Sequence, residues 1–192
     1  MNEQSKVIIL PNLSDLLRHY QRLNYSVWTA LAEFVDNSTE SWFQNKEQLI
    51  ACGINGIVIE IEFNEGILSI KDNAYGMNRK AFEKAIKLGS KPDIKSRNQY
   101  GFGLKTAACW LGDRWEISSA ELDSSTIYKT IVDINEIEAK NTNGLIVSPV
   151  ENIFHQRGTC ITIYNVKHSL KEAKVIGAIK DNLSMKYKRD LS

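Results

Sequence analysis

Apolar and small residues recur at helical spacing between residues 26 and 48. They lie three or four positions apart, as on the buried face of an amphipathic helix, and they are Val27, Leu31, Phe34, Val35, Ser38 and Trp42. Weaker helical patterns predict further helices over 12–23, 79–88, 103–111 and 170–184. Asn78 fits the N-cap of the helix over 79–88 because its side chain can accept from the first turn.

Runs rich in β-branched residues alternate with these helices. They predict a hairpin over 57–63 and 67–71, turning at Asn64-Glu65-Gly66, and later strands over 114–120, 126–134, 144–150 and 158–166. The stretch from 90 to 100 is polar and basic, which favours a loop. This order of elements predicts an α+β fold with a helical layer on one face of a largely antiparallel sheet.

Composition indicates an ordinary globular protein. The 192 residues are 43% hydrophobic and 24% charged, and we expect one domain over 1–192 because no repeat and no interior linker interrupts it. The apolar runs are too short to span a bilayer and the N-terminus does not read as a signal peptide, so a soluble cytoplasmic protein is expected. Three widely spaced cysteines indicate neither a disulfide framework nor a zinc site.

The net charge of +1 hides an uneven distribution. Residues 79–105 carry eight basic and two acidic side chains, and residues 167–192 carry seven basic and three acidic ones. The first segment suits an anionic ligand, although a solvated basic helix face would give the same count. The second reads as an exposed helix, the start of a linker or a nucleic-acid contact.

Two motifs carry acidic and amide groups. Glu33 and Asn37 lie one helical turn apart and offer a carboxylate that can take a proton from water and an amide oxygen that can bind a hard cation. Asp72 ends a predicted strand and is followed by a turn that contains Gly76. Each motif alone has a simpler explanation, as the wet face of a helix or an ordinary turn.

Two further motifs contain glycine. Gly101-Phe102-Gly103 leads into a helix, where backbone N–H groups and the following Lys105 suit a phosphate. The order of residues differs from the Walker motif, which is absent from the sequence. Gly158-Thr159 opens a strand and means little by itself.

Together, in this order, the four motifs resemble those of the GHKL ATPase superfamily, which includes DNA gyrase, the ninety-kilodalton heat-shock chaperones, histidine kinases and the MutL proteins. The resemblance spans about residues 27–166 and is nearest to the MORC-type and chaperone- or MutL-like branches. It implies the Bergerat ATP-binding fold, a two-layer α/β sandwich with a mixed, mostly antiparallel sheet. The segment from about residue 89 to residue 104 would form the ATP lid. The chain departs from the family pattern at Ala74 and Asn98, where glycine is usual, and neither residue excludes a nucleotide.

The resemblance also implies roles for individual residues. Glu33 would be the general base that activates water, and Asn37 would bind Mg²⁺. Asp72 would accept from the adenine amino group, and Thr159 would hold adenine through a water shared with that carboxylate. The other positions assigned to ATP shape the base pocket or cradle the phosphates, and they are Gly76, Met77, Tyr100, Gly101, Phe102, Gly103, Leu104 and Lys105.

The implied activity is Mg²⁺-dependent hydrolysis of ATP to ADP and phosphate, which would be slow in an isolated domain. The chain would be either the nucleotide switch of a larger protein or an unusually short member of the family.

Two alternatives remain. One is a nucleotide-dependent dimerisation or interaction module with little hydrolysis. The other is a histidine-kinase-type phosphotransferase, which Glu33 disfavours because histidine kinases typically lack that carboxylate. Implied partners are ATP and ADP, a nucleotide-dependent homodimer, and DNA or protein clients bound through other domains, without a membrane.

Overall fold

A computed structural model describes residues 12–87 and 102–167 as six helices and six strands. The helices are α1 (Leu13–Gln21), α2 (Val27–Gln44), α3 (Lys46–Ala51), α4 (Arg79–Ile86), α5 (Phe102–Leu111) and α6 (Ile134–Lys140). The strands are β1 (Ile59–Asn64), β2 (Ile67–Asp72), β3 (Arg114–Ala120), β4 (Thr126–Asp133), β5 (Ser148–Glu151) and β6 (Gly158–Tyr164).

The strands form one sheet in the order β1-β2-β6-β3-β4-β5. Every pairing between these described strands is antiparallel. The last strand, β6, lies between β2 and β3, so that Ile161 is opposite Ile70 on one side and Ile117 on the other. This insertion brings Gly158 and Thr159, at the start of β6, next to Asp72 at the end of β2.

The helices cover one face of the sheet, and the core lies between the two layers. Alternate strand residues such as Leu68, Trp115 and Ile163 are almost fully buried against helix residues such as Phe34 and Phe82. On the opposite face the sheet carries charged pairs, including the Lys129–Glu116 ion pair of 3.1 Å. The expected α+β fold with helices on one face is confirmed.

The helix predicted over 26–48 is two helices. Ser26 caps α2 by accepting from Thr29 N at 3.2 Å, and α2 ends at Gln44. At Asn45 the side-chain Nδ2 donates to Ser41 O at 2.8 Å, while the backbone N–H donates to Trp42 O at 3.2 Å. The Asn45 side chain thus takes the carbonyl that its own N–H would use in a continued helix, and the chain restarts as α3.

Other boundaries also differ from the predicted ones. The strand predicted over 126–134 ends at Asp133, whose side chain accepts from Glu136 N and begins the unpredicted helix α6. The strand predicted over 144–150 is the shorter β5. Asn78 caps α4 as predicted, accepting from Ala81 N at 3.0 Å. The loop over 90–100 and the helix over 170–184 lie outside the described residues. Within the described ranges, no helix has the length and apolarity that crossing a membrane requires.

Candidate nucleotide site

A cavity of about 370 Å³ opens between α2, α4 and the end of the sheet at which strand β2 ends and the neighbouring strand β6 begins. Its volume lies within the range typical of small-molecule sites. Side chains from five elements, α2, α4, α5, β2 and β6, converge on it, together with the turn after β2. Those used below are Asn37, Ser38, Asp72, Met77, Leu104 and Thr159.

Asp72 is the buried acidic group of this cavity, with only 7% of its surface exposed. Its Oδ1 accepts from Ala74 N at 3.0 Å and from Thr159 N at 3.1 Å, and its Oδ2 accepts from Ser38 Oγ at 2.8 Å. Burial raises the pKa of this carboxyl, although these three hydrogen bonds oppose the shift. The carboxylate is therefore fixed in place by its neighbours and still presents acceptor lone pairs to a ligand.

Ser119, on β3, connects the three chain segments around the Asp72 carboxylate. The residue is 2% exposed, and its hydroxyl oxygen lies 3.0 Å from Met77 N, 2.9 Å from Gly158 O and 3.0 Å from Thr159 Oγ1. These contacts fix the turn after β2 to the start of β6. Ser119 thus sets the position of two cavity residues.

Two glycines permit close packing behind the cavity. Gly76 has φ of +75°, and a Cβ there would lie 1.8 Å from Ala120 O. Gly158 has φ of +87°, and its Cβ would lie 2.2 Å from Asp72 O. Both positions combine a left-handed backbone with a neighbouring main chain that cannot move aside cheaply, so both require glycine.

Glu33 lies against the first turn of α5. A Cβ on Gly103 would be 1.9 Å from Glu33 Oε2, so the carboxylate occupies the space that a side chain would need. One turn further along α2, Asn37 donates through Nδ2 to Glu33 O at 2.6 Å. With its amide nitrogen engaged, Asn37 offers its oxygen, and a hard cation accepts such an oxygen as a ligand.

Lys105 occupies a different position from the predicted phosphate contact. Only 2% of the residue is exposed, and its ammonium donates to Lys87 O, just after α4. Burial lowers the pKa of Lys105 to about 8. Among the described residues that line the cavity, the basic side chain is Lys84 instead. A contact of Lys105 with phosphate stays a prediction and would require its release from Lys87 O.

The structure brings most predicted site residues together. Asn37, Asp72, Gly76, Met77, Leu104 and Thr159 line the cavity, whereas Glu33 is outside the lining, with its carboxylate in the space that a side chain on Gly103 would need. Phe102 begins α5, whereas Tyr100 and Gly101 lie outside the described residues, as does most of the lid predicted over about 89–104. The roles of all these residues stay predictions.

Sequence reasoning missed Ser38 and Ser119. Ser38 was placed in the apolar stripe of α2, and it is indeed buried, but its hydroxyl binds Asp72. Ser119 follows Trp115 and Ile117 at alternate positions of β3 and faces the core with them. A hydroxyl at a core-facing strand position was the signal available, because buried polar groups need partners.

Comparison with known families gives a match over most of the chain. Residues 25–167 match the family described as histidine kinase-, DNA gyrase B-, and HSP90-like ATPase. The chain therefore belongs to this family of GHKL-type ATP-binding domains. No curated protein sequence shows significant similarity to the chain.

Proposed function

We propose that this domain binds ATP with Mg²⁺ and hydrolyses it to ADP and phosphate. The observation that carries the proposal is the buried Asp72 carboxylate beside Thr159 at one end of the cavity, with Asn37 and Glu33 towards the first turn of α5. One end offers acceptors to a base that carries an amino group. The other offers a helix N-terminus to phosphates.

The base would lie against Asp72. An ionised carboxylate only accepts hydrogen bonds, so it favours an exocyclic amino group over a carbonyl oxygen. Ala74 N, Thr159 N and Ser38 Oγ hold the carboxylate from behind, which limits the reorganisation needed on binding. Adenine carries the required amino donor, and the family match makes ATP the expected nucleotide.

The phosphates would extend towards α5, where the helix N-terminus favours negative charge. Asn37 supplies an amide oxygen suited to Mg²⁺, since its nitrogen is already engaged by Glu33 O. Bound Mg²⁺ would offset charge on the phosphate oxygens. Its remaining ligands would be phosphate oxygens and water, as is usual for Mg²⁺ in nucleotide sites.

Glu33 is the proposed general base. Its carboxylate lies at the first turn of α5, where the phosphates would end, and it would align a water and take its proton during attack on the terminal phosphate. A base at this place favours transfer to water over transfer to a protein side chain.

Turnover and nucleotide affinity measured for Glu33→Gln test the assignment. We expect hydrolysis to fall by roughly 10²- to 10⁴-fold, the usual contribution of a general base, with ATP affinity nearly unchanged. Glu40→Gln, further along α2 and outside the cavity lining, is the matched control. Full turnover in Glu33→Gln would remove Glu33 as the base. ATP binding without hydrolysis in the unmodified chain would favour the interaction module instead.

A further inference from the structure

We propose that Ser119 makes the cavity select a base with a donor group, because it fixes the direction of the Thr159 hydroxyl proton. This inference rests on the proposed function, and it adds a specificity-determining residue that does not itself line the cavity. Three contacts surround the Ser119 oxygen.

The contacts favour one assignment of protons. Met77 N–H can only donate to Ser119 Oγ, at 3.0 Å, and Gly158 O can only accept from it, at 2.9 Å. A serine hydroxyl has one proton and two lone pairs. Once Gly158 O takes the proton and Met77 N–H takes one lone pair, the contact of 3.0 Å with Thr159 Oγ1 is a hydrogen bond only if Thr159 donates.

The reverse assignment leaves an unfavourable contact. If Ser119 donated to Thr159, then Ser119 Oγ and Gly158 O would lie 2.9 Å apart with no proton between them. Ser119 is 2% exposed, so solvent cannot relieve that contact. Burying such an unsatisfied polar pair is costly, and the first assignment is therefore favoured.

The consequence appears at the cavity surface. Thr159 spends its single proton on Ser119, so only its lone pairs remain for a ligand. The neighbouring Asp72 carboxylate also offers only lone pairs when ionised. Asp72 and Thr159 therefore both act as acceptors at this end of the cavity, and a base that carries a hydrogen-bond donor fits them best. The base would contact them directly or through a water molecule whose protons point to Asp72 and Thr159.

Removal of the Ser119 hydroxyl should abolish this restriction. In Ser119→Ala, the Thr159 proton is free to turn towards the ligand, and the threonine can then donate to an acceptor such as a purine ring nitrogen. ATP and purine riboside triphosphate form the matched pair of probes, because the second nucleotide has a hydrogen atom on carbon where ATP has its amino group and therefore presents only acceptors at this edge of the base. We expect the unmodified chain to prefer ATP, and the preference to fall about tenfold in Ser119→Ala, equivalent to roughly 1.4 kcal/mol.

Calorimetric titration with each nucleotide and Mg²⁺ measures this ratio of dissociation constants. Ser118→Ala is the matched control, because Ser118 lies on the same strand with its side chain on the opposite face of the sheet. Ser119→Thr keeps the hydroxyl and should restore the preference. Loss of stability alone would weaken both nucleotides equally and would leave the ratio unchanged.

A second variant guards against misfolding of Ser119→Ala. Thr159→Val removes the hydroxyl whose proton is at issue from a half-buried position. We expect it to lower the ATP preference, and Ser119→Ala should change the ratio no further in that background. An unchanged ratio in both single variants, or an equal loss for both nucleotides, would overturn the inference. Failure of the unmodified chain to bind ATP would instead overturn the proposed function, and this inference with it.

Discussion

Substitution of Gly103 by alanine should separate catalysis from binding. The new Cβ would lie 1.9 Å from Glu33 Oε2, and real Cβ contacts are essentially never shorter than 3.0 Å. The carboxylate must therefore retreat by about 1 Å or more, which its flexible side chain allows at little cost. Gly103 lies within α5 without positive φ, so alanine should stabilise the helix by up to about 1 kcal/mol.

A displacement of this size is large for catalysis. Misplacement of a reacting group by about 1 Å costs on the order of 10²-fold in rate. We therefore expect kcat to fall about 100-fold in Gly103→Ala, with ATP affinity changed less than roughly threefold and Tm unchanged or raised. Steady-state phosphate release, calorimetric titration and thermal unfolding measure the three quantities.

Two comparisons make the result decisive. Gly144→Ala introduces a methyl group that meets nothing within 4 Å and should behave like the unmodified chain. In a Glu33→Gln background, Gly103→Ala should lower kcat no further, because both changes act through the same carboxylate. Unchanged turnover in Gly103→Ala, or a full additional loss in the double variant, would refute the placement of the base.

Three further predictions address the fold around the site. Asp72→Asn should bind ATP roughly 10- to 100-fold more weakly, because it loses a hydrogen bond to a charged group that is worth about 1.5–3 kcal/mol. Its Tm near neutral pH should not fall, because burial disfavours the charged form of the Asp72 carboxyl. A left-handed backbone costs a residue with a side chain ~1–2 kcal/mol, and Gly66→Ala should lower the free energy of unfolding by this amount, because its methyl group meets nothing within 4 Å. Gly76→Ala should lower it by well over this amount, because its methyl group also meets the main chain of Ala120. The pKa of Lys105 is about 8 in the folded chain and 10.5 in the unfolded chain, so between pH 8 and pH 10.5 the unfolded state binds more protons than the folded state. The free energy of unfolding should therefore rise across this range by up to about 1.4 kcal/mol per pH unit. Denaturant titrations at pH 8 and 10 should show this gain in the unmodified chain and not in Lys105→Met, and equal pH dependence in the two would contradict it.

Periodicity predicted most of the regular structure, because the apolar spacing of α2 and the alternation along β3 are properties of single segments. It could not predict the break at Asn45, which depends on one side chain competing with the backbone for Ser41 O. It also missed α6, a helix of seven residues that begins at the Asp133 cap. Local patterns carry little information about such short elements.

The site was predictable where a residue type implies its chemistry. Asp72, Asn37 and Thr159 were identified through the motif resemblance, and the structure places them around one cavity. Ser119 was not, because its role arises from the insertion of β6 beside β3, which brings residues distant in sequence together. The same limit applies to Lys105: its position after a glycine-containing turn suggests a phosphate contact, whereas its burial depends on the packing of segments distant in sequence.

We propose the cavity at Asp72 as an ATP site. Calorimetric titration of the unmodified chain with ATP and Mg²⁺, repeated with Asp72→Asn, tests it most directly. Saturable binding at one site, weakened at least tenfold in the variant while its Tm is maintained, is the result that the structure predicts. Absence of binding by the unmodified chain, or equal affinity in the two proteins, would contradict it.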